Sequence, residues 1–186
     1  ILRRLVGSEM CIRDRSTVTG RRGMIASGHP LASLAGLRIL MQGGNAIDAA
    51  VATAAALNVV EPYMSGIGGV GYMNIYSARS NEHKILDYVG LTPAATDIAL
   101  YDEDKRDRGP LSHLVPGACG GWLEAIARYG NLSPAEVFAP AIEYAEQGVA
   151  LTVKNAEFFA GNAADLRRFG EGGKTVSYTH LRAHET

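Results

Sequence analysis

Cysteine is nearly missing from this chain: Cys11 and Cys119 are the whole supply in 186 residues. That excludes an internal disulfide framework. An excess of charge of either sign is also missing, since 18 Lys and Arg are set against 19 Asp and Glu, for a net charge of -1. The arginines at the front (Arg3, Arg4, Arg13, Arg15, Arg21, Arg22) have no aromatic platform or basic stripe beside them, which argues against nucleic acid as a partner. No apolar run reaches the roughly 20 residues that a bilayer span needs, so no membrane segment is expected. Residues 1–20 contain no apolar core of a secretion signal. The G-x-S-x-G elbow is absent, and Ser112 and His113, being neighbours, cannot face each other as a triad pair. The charged run 102–108 carries no His or Cys ligand set and reads as a solvated loop. Neither a metal nor a cofactor is expected.

What the chain does have is glycine and alanine, concentrated in residues 28–76. Pro30 presets φ for a first helical turn, and residues 31–42 are good helix formers stopped by Gly43 and Gly44. Asn45 stands where a helix N-cap is wanted and Asp48 in the first turn, where the macrodipole favours an anion, so a second helix is expected over 46–58. Its alanines, with Ile47, Val51 and Leu57, leave almost no polar face; such a helix is covered by protein on most sides. Asp48, Thr53, Asn58, Glu61 and Pro62 interrupt it too often for a membrane span. Next comes SGIGGVG, then YMNIY with the period of a strand. Gly66, Gly68 and Gly71 match G-x-G-x-x-G, but a dinucleotide fingerprint runs strand, glycines, helix, and here the order is helix, glycines, strand. A tight connection using positive φ and close backbone packing is the expected role.

Further along, residues 85–88 read as a second strand pairing with 72–76 through a polar link at 77–84. Residues 120–129 read as a helix with Trp122, Ala125, Ile126 and Tyr129 on one face, ended by Gly130. Ser133, Pro134 and Glu136 form a capping box, opening a helix that Pro140 is expected to kink and Gly148 to end. A last helical stretch, 152–169, is weakened by Gly161. His29 is expected to start the first helix rather than act as acid or base, Cys119 to be a buried packing thiol, and Asp87 to stabilise a turn.

EMCIRDRS (9–16) and VSYTHLRAHET (176–186) resemble translated sequencing-adapter sequence, without helical or strand period and without caps. The expected division is thus a foreign stretch at 1–16, a native domain at 17–175 and a foreign stretch at 176–186.

HPLASLAGLRILMQGGNAIDAAVATAAALNVVEP followed by SGIGG resembles the opening of the gamma-glutamyltransferase (gamma-glutamyltranspeptidase) family. LDYVGLTPAAT and VPGACGGWLEAIARYGNLSPAEVFAPAIEYAEQG resemble successive landmarks of that family, in the right order. The resemblance implies an α+β fold, the αββα sandwich of N-terminal-nucleophile hydrolases, present here only in part. It also implies a precursor that cuts itself into a large and a small subunit. The nucleophile is then a threonine at the start of the small subunit, with its own α-amino group as general base. No catalytic residue is therefore expected in this chain, which matches the front of the large subunit and would be inactive alone. Thr179 with His180 looks like such a start, but it comes too soon after the preceding motifs. The implied partners are a small gamma-glutamyl or acyl-amide substrate and the small-subunit segment of the same precursor.

At one position the chain departs from the family. There an arginine and a glutamate follow Leu, Asp and an aromatic residue, and the arginine grips the α-carboxylate of the glutamyl group. Aligning Leu86, Asp87, Tyr88 and Pro93 puts Val89 in the arginine's place and Gly90 in the glutamate's. A guanidinium fork contributes roughly 1.5 to 3 kcal/mol per charge-assisted bond that valine cannot supply. Arg79 and Lys84 are near in sequence but do not occupy the matching position. Two readings follow: a branch that cleaves a different amide or acyl group, or a cation supplied from elsewhere in the precursor. Two other classes stand beside them: a dinucleotide module on Gly66–Gly71, and an inert fragment that leaves strand edges and an apolar face exposed.

Overall fold

The computed structural model describes residues 18–102 and 111–168. The two stretches read as foreign, the Thr179–His180 pair and most of the charged run 102–108 lie outside the described residues.

Helix α1 (Pro30–Met41) starts where its sequence says it should. Pro30 occupies the first turn, and His29 is the N-cap, its Nδ1 accepting the Leu31 N–H at 3.2 Å. The helix closes in a Schellman turn: the Gly43 N–H donates to Leu40 O at 3.2 Å and the Gly44 N–H to Ile39 O at 3.0 Å, with Gly43 at φ 93°. Helix α2 (Ala46–Val60) opens immediately after. Asn45 Oδ1 accepts from the N–H groups of Ile47 and Asp48, and Asp48 Oδ2 accepts from the Asn45 N–H, a complete capping box.

The two helices pack closely because small residues face each other. A Cβ on Gly36 would fall 2.2 Å from Thr53 Oγ1 and 2.9 Å from Ala49 O. Helix α2 is the centre of the core, with Asp48, Ala49, Val51, Ala52, Thr53, Ala55, Ala56 and Val60 buried. Helix α3 (Ala118–Tyr129) packs on it through Trp122, Ala125 and Ile126, and helix α4 (Pro134–Gln147) through Val137, Pro140 and Ala141. An Arg38–Glu143 ion pair at 2.6 Å and a Tyr144 hydroxyl bond to Leu31 O tie α4 to α1 as well. Helix α4 continues through Pro140, and Gly148 at φ 77° follows its end.

The expected last helix is two. Helices α5 (Val153–Gly161) and α6 (Ala163–Arg168) are separated at Asn162, where the helical tendency is already lowered by Gly161. Helix α5 is fastened to the end of α2 by buried Asn155, whose Nδ2 donates to Val60 O at 3.0 Å and whose Oδ1 accepts from Tyr63 at 2.7 Å.

Strands β1 (Tyr72–Ser77) and β2 (Glu82–Asp87) form an antiparallel hairpin in which Tyr72 is opposite Asp87 and Ser77 opposite Glu82. β2 begins three residues earlier than its apolar pattern indicates, because the short turn at 78–81, with Asn81 at φ 52°, brings polar Glu82 straight into register. One face carries Met73 and Ile75 toward the helices; on the other Tyr72, Tyr76 and Ile85 are exposed. Among the described residues no helix is long and apolar enough to cross a membrane, and no cluster of three or more His, Cys, Asp or Glu could hold a metal ion.

Asp48 ties this assembly together. Fully buried, its Oδ2 also accepts the Asn131 N–H at 2.9 Å, while Asn45 Nδ2 donates to Tyr129 O at 2.5 Å. The start of α2 is thereby locked to the turn between α3 and α4. Gly130 sits inside this lock, where a Cβ would meet Asp48 Oδ1 at 2.4 Å and Ile126 O at 2.7 Å. Gly130→Ala is expected to cost about 2 kcal/mol by overpacking, read as a lower urea midpoint at unchanged m-value.

The second capping box yields a titration. Ser133 Oγ donates to Glu136 Oε2 at 2.6 Å and the Ser133 N–H donates to the same oxygen at 2.8 Å. These bonds, the side-chain one first, hold the Glu136 carboxyl below the ordinary carboxylate range. A carboxyl lowered in the folded state contributes stability that is present above its unfolded value and lost as pH falls through the folded one. Ser133→Ala is expected to move the Glu136 titration upward toward the ordinary range, followed by NMR.

Candidate functional site

Three segments far apart in sequence converge at the end of the hairpin: the glycine-rich loop 66–71, the segment 88–91 that leaves β2, and residues 115–121 at the start of α3. The loop is held at both ends. Ser65 Oγ donates to Asn58 Oδ1 at 2.8 Å on α2, and Gly71 O accepts the Tyr88 N–H at 3.0 Å. Between them Gly69 O accepts the N–H groups of Gly117 and Ala118 at 3.0 and 2.9 Å. That carbonyl satisfies N–H groups that a helix start leaves unpaired, which is why α3 begins at Ala118 rather than at the expected residue 120. Ile67 of the same loop lines, with Trp122, Phe138 and Ile142, an apolar groove of about 530 Å³.

The glycines of the loop differ from expectation. None of Gly66, Gly68 and Gly71 takes a positive φ, which among the described glycines belongs to Gly43 and Gly148. Gly66 and Gly68 have open space around them, and Gly71 is the one that is closely packed, against the Tyr88 ring. The order α2, loop, β1 leaves no helix N-terminus after the glycines for a pyrophosphate.

Asp87 makes the turn that sets the site. Its Oδ1 accepts the Val89 N–H at 2.9 Å, an Asx turn at the end of β2. Tyr88 is then wedged among glycines: a Cβ on Gly121 would fall 2.3 Å from its Cγ, one on Gly71 3.1 Å from its Cε2, and one on Gly117 2.1 Å from its carbonyl oxygen. Gly90 is packed tightest. A Cβ there would lie 1.6 Å from Val115 O, and the Val115 N–H donates to Leu91 O at 3.2 Å.

Val89 is half-buried on this turn, between exposed Asp87 and side-chain-free Gly90. Neither Arg79 nor Lys84 of the hairpin sits at this turn. Arg79 lies in the turn at the opposite end of β2, about 20 Å of strand away. Lys84 is engaged with Glu82 at 3.0 Å, which raises its ammonium's pKa and lowers that of the Glu82 carboxyl, and it lies over the Tyr129 ring. Cys119 is half-buried rather than buried, because it falls on the border of the α3 face made by Ala118, Gly121 and Trp122. His29 lies away from this convergence, at the start of α1, and Ser112 and His113 are exposed in the coil before α3. The grip on Tyr88 escapes a reading of local pattern; the glycines of PGACGG are its one sequence signal.

The gamma-glutamyltranspeptidase family model matches residues 32–183. The chain is 44% identical over 168 residues to an acylase ACY 1 proenzyme of Pseudomonas sp. (strain V22), covering 83% of this chain and 30% of that protein. It is 38% identical over 157 residues to a glutathione hydrolase proenzyme of Bacillus subtilis (strain 168), covering 80% and 27%. The structure superposes on the gamma-glutamyltranspeptidase of Helicobacter pylori with a TM-score of 0.77 at 32% identity, over 84% of this chain and 46% of that one. The chain belongs to the gamma-glutamyltranspeptidase family, and its helices and hairpin make up part of that family's α+β, N-terminal-nucleophile hydrolase fold. It spans less than a third of the length of these two relatives.

Gly90 and Gly120 test the geometry of this site with opposite signs. Gly90→Ala is expected to cost about 3 kcal/mol, because the Val115 carbonyl has to move. Gly120→Ala, into open space on α3, is expected to gain about 0.5 kcal/mol from helix propensity. Thermal midpoints of the two variants check both.

Proposed function

We propose that this chain carries one wall of the acyl site of an amide-cleaving enzyme of the gamma-glutamyltranspeptidase family, specific for an acyl group that is not anchored by an α-carboxylate. Its nucleophile is a threonine that leads a downstream segment of the same precursor, and water or an amine accepts the acyl group. Without that segment residues 17–175 are inactive. The observation that carries this reading is Val89. The family's guanidinium is replaced by an apolar side chain, which offers an anionic substrate end no charge-assisted bond. The similarity to an acylase proenzyme supports the same reading.

A gamma-glutamyl substrate gripped by a cation from elsewhere in the precursor is the second reading, favoured by the similarity to a glutathione hydrolase proenzyme. Assays of the full-length precursor on an uncharged acyl anilide and on a gamma-glutamyl anilide separate the two. The acyl anilide is expected to be preferred, and Val89→Arg to shift the ratio of kcat/KM toward the gamma-glutamyl anilide by about tenfold, the worth of one charge-assisted bond. Rapid gamma-glutamyl turnover that Val89→Arg leaves unchanged would sink the altered-substrate reading.

A further inference from the structure

We infer that Tyr88 is a positioning residue for specificity: its ring, seated between Gly71 and Gly121 with its carbonyl against Gly117, sets where Val89 meets the acyl group. The inference rests on the reading of Val89 given above and adds the device that holds it.

Tyr88 packs against the hydrophobic core and is approached closely by backbone at three glycines. Gly121 on α3 leaves room for the ring, since a Cβ there would overlap Tyr88 Cγ at 2.3 Å and both Cβ and Cδ1 at 2.5 Å. Gly71 at the start of β1 flanks the ring's far side, 3.1 Å from Cε2 by the same measure. Gly117 admits the Tyr88 carbonyl. The main chain on either side is pinned as well, by the Tyr88 N–H to Gly71 O at 3.0 Å and the Val89 N–H to Asp87 Oδ1 at 2.9 Å. A methyl group on Gly121 therefore cannot be absorbed by rotating the ring alone; the backbone at 88 and 89 moves with it. A Cβ on Gly120, one residue away on the same helix, would meet nothing outside its own helix within 4 Å and transmits no such push.

A residue that merely fills space would alter stability alone. A positioning residue also alters how substrate is held, so the readout is KM against kcat on the full-length precursor, with the uncharged acyl anilide and the gamma-glutamyl anilide. Gly121→Ala and Tyr88→Leu are expected to raise KM for the acyl anilide about tenfold with kcat largely kept, since a displacement near 1 Å in a positioning element is costly. Tyr88→Phe, which keeps the ring, is expected to restore KM, and Gly120→Ala to leave it unchanged. Tyr88→Leu adds no clash, so it serves where Gly121→Ala fails to fold. If Val89→Arg shifts the substrate ratio while Tyr88→Leu and Gly121→Ala keep KM within about twofold, a difference too small to mark lost positioning, the role of Tyr88 is overturned and the reading of Val89 stands. If Val89→Arg shifts nothing, both fall together.

Discussion

The structure depends on one carboxylate. Asp48 Oδ2 accepts two backbone N–H groups, from Asn45 before α2 and from Asn131 between α3 and α4, and the side chain is fully buried. Burying such a group is costly unless donors and a helix dipole compensate, and here both are present at the α2 N-terminus. Among the described residues the other oxygen, Oδ1, has no hydrogen-bond partner, and it abuts Gly130. The two bonds to Oδ2 join the start of α2 to the turn at 129–131.

From that lock the order passes outward to the site by backbone contacts. Asp48 and Asn45 fix the C-terminal end of α3 against α2, and the buried face of Trp122, Ala125 and Ile126 sets its direction. The N-terminal end of α3 then receives Gly69 O, which places the glycine-rich loop, and the loop places Tyr88 through Gly71 O. The steps from α3 through the loop to Tyr88 are main-chain hydrogen bonds, where no flexible side chain can take up slack.

Local signals in the chain were legible and distant ones were not. Pro30, Asn45 with Asp48, Ser133 with Glu136, and the glycines at 43, 130 and 148 announce helix ends because a cap is satisfied within three or four residues. The bond from Asp48 to Asn131 spans 83 residues, and nothing in the first turn of a helix reveals it. The start of β2 was hidden for another reason: Glu82, His83 and Lys84 are all polar and exposed, so alternation of apolar residues is absent. At the site, Val89 stood out as a departure from a family pattern and Asp87 as a turn former. The convergence of residues 66–71, 88–91 and 115–121 needed coordinates, since a glycine in sequence does not say what approaches it.

Gly90 is where the backbone beside Val89 leaves least room: a Cβ at 90 would lie 1.6 Å from Val115 O and 2.6 Å from its carbonyl carbon. Any side chain at 90 and this course of residues 115–117 exclude each other. Val115 in turn donates to Leu91 O, and Gly117 with Ala118 donates to Gly69 O, so the course of 115–117 is tied on both sides. A larger side chain at 89 asks only for space at a half-buried surface, whereas any side chain at 90 asks α3's approach to be rebuilt.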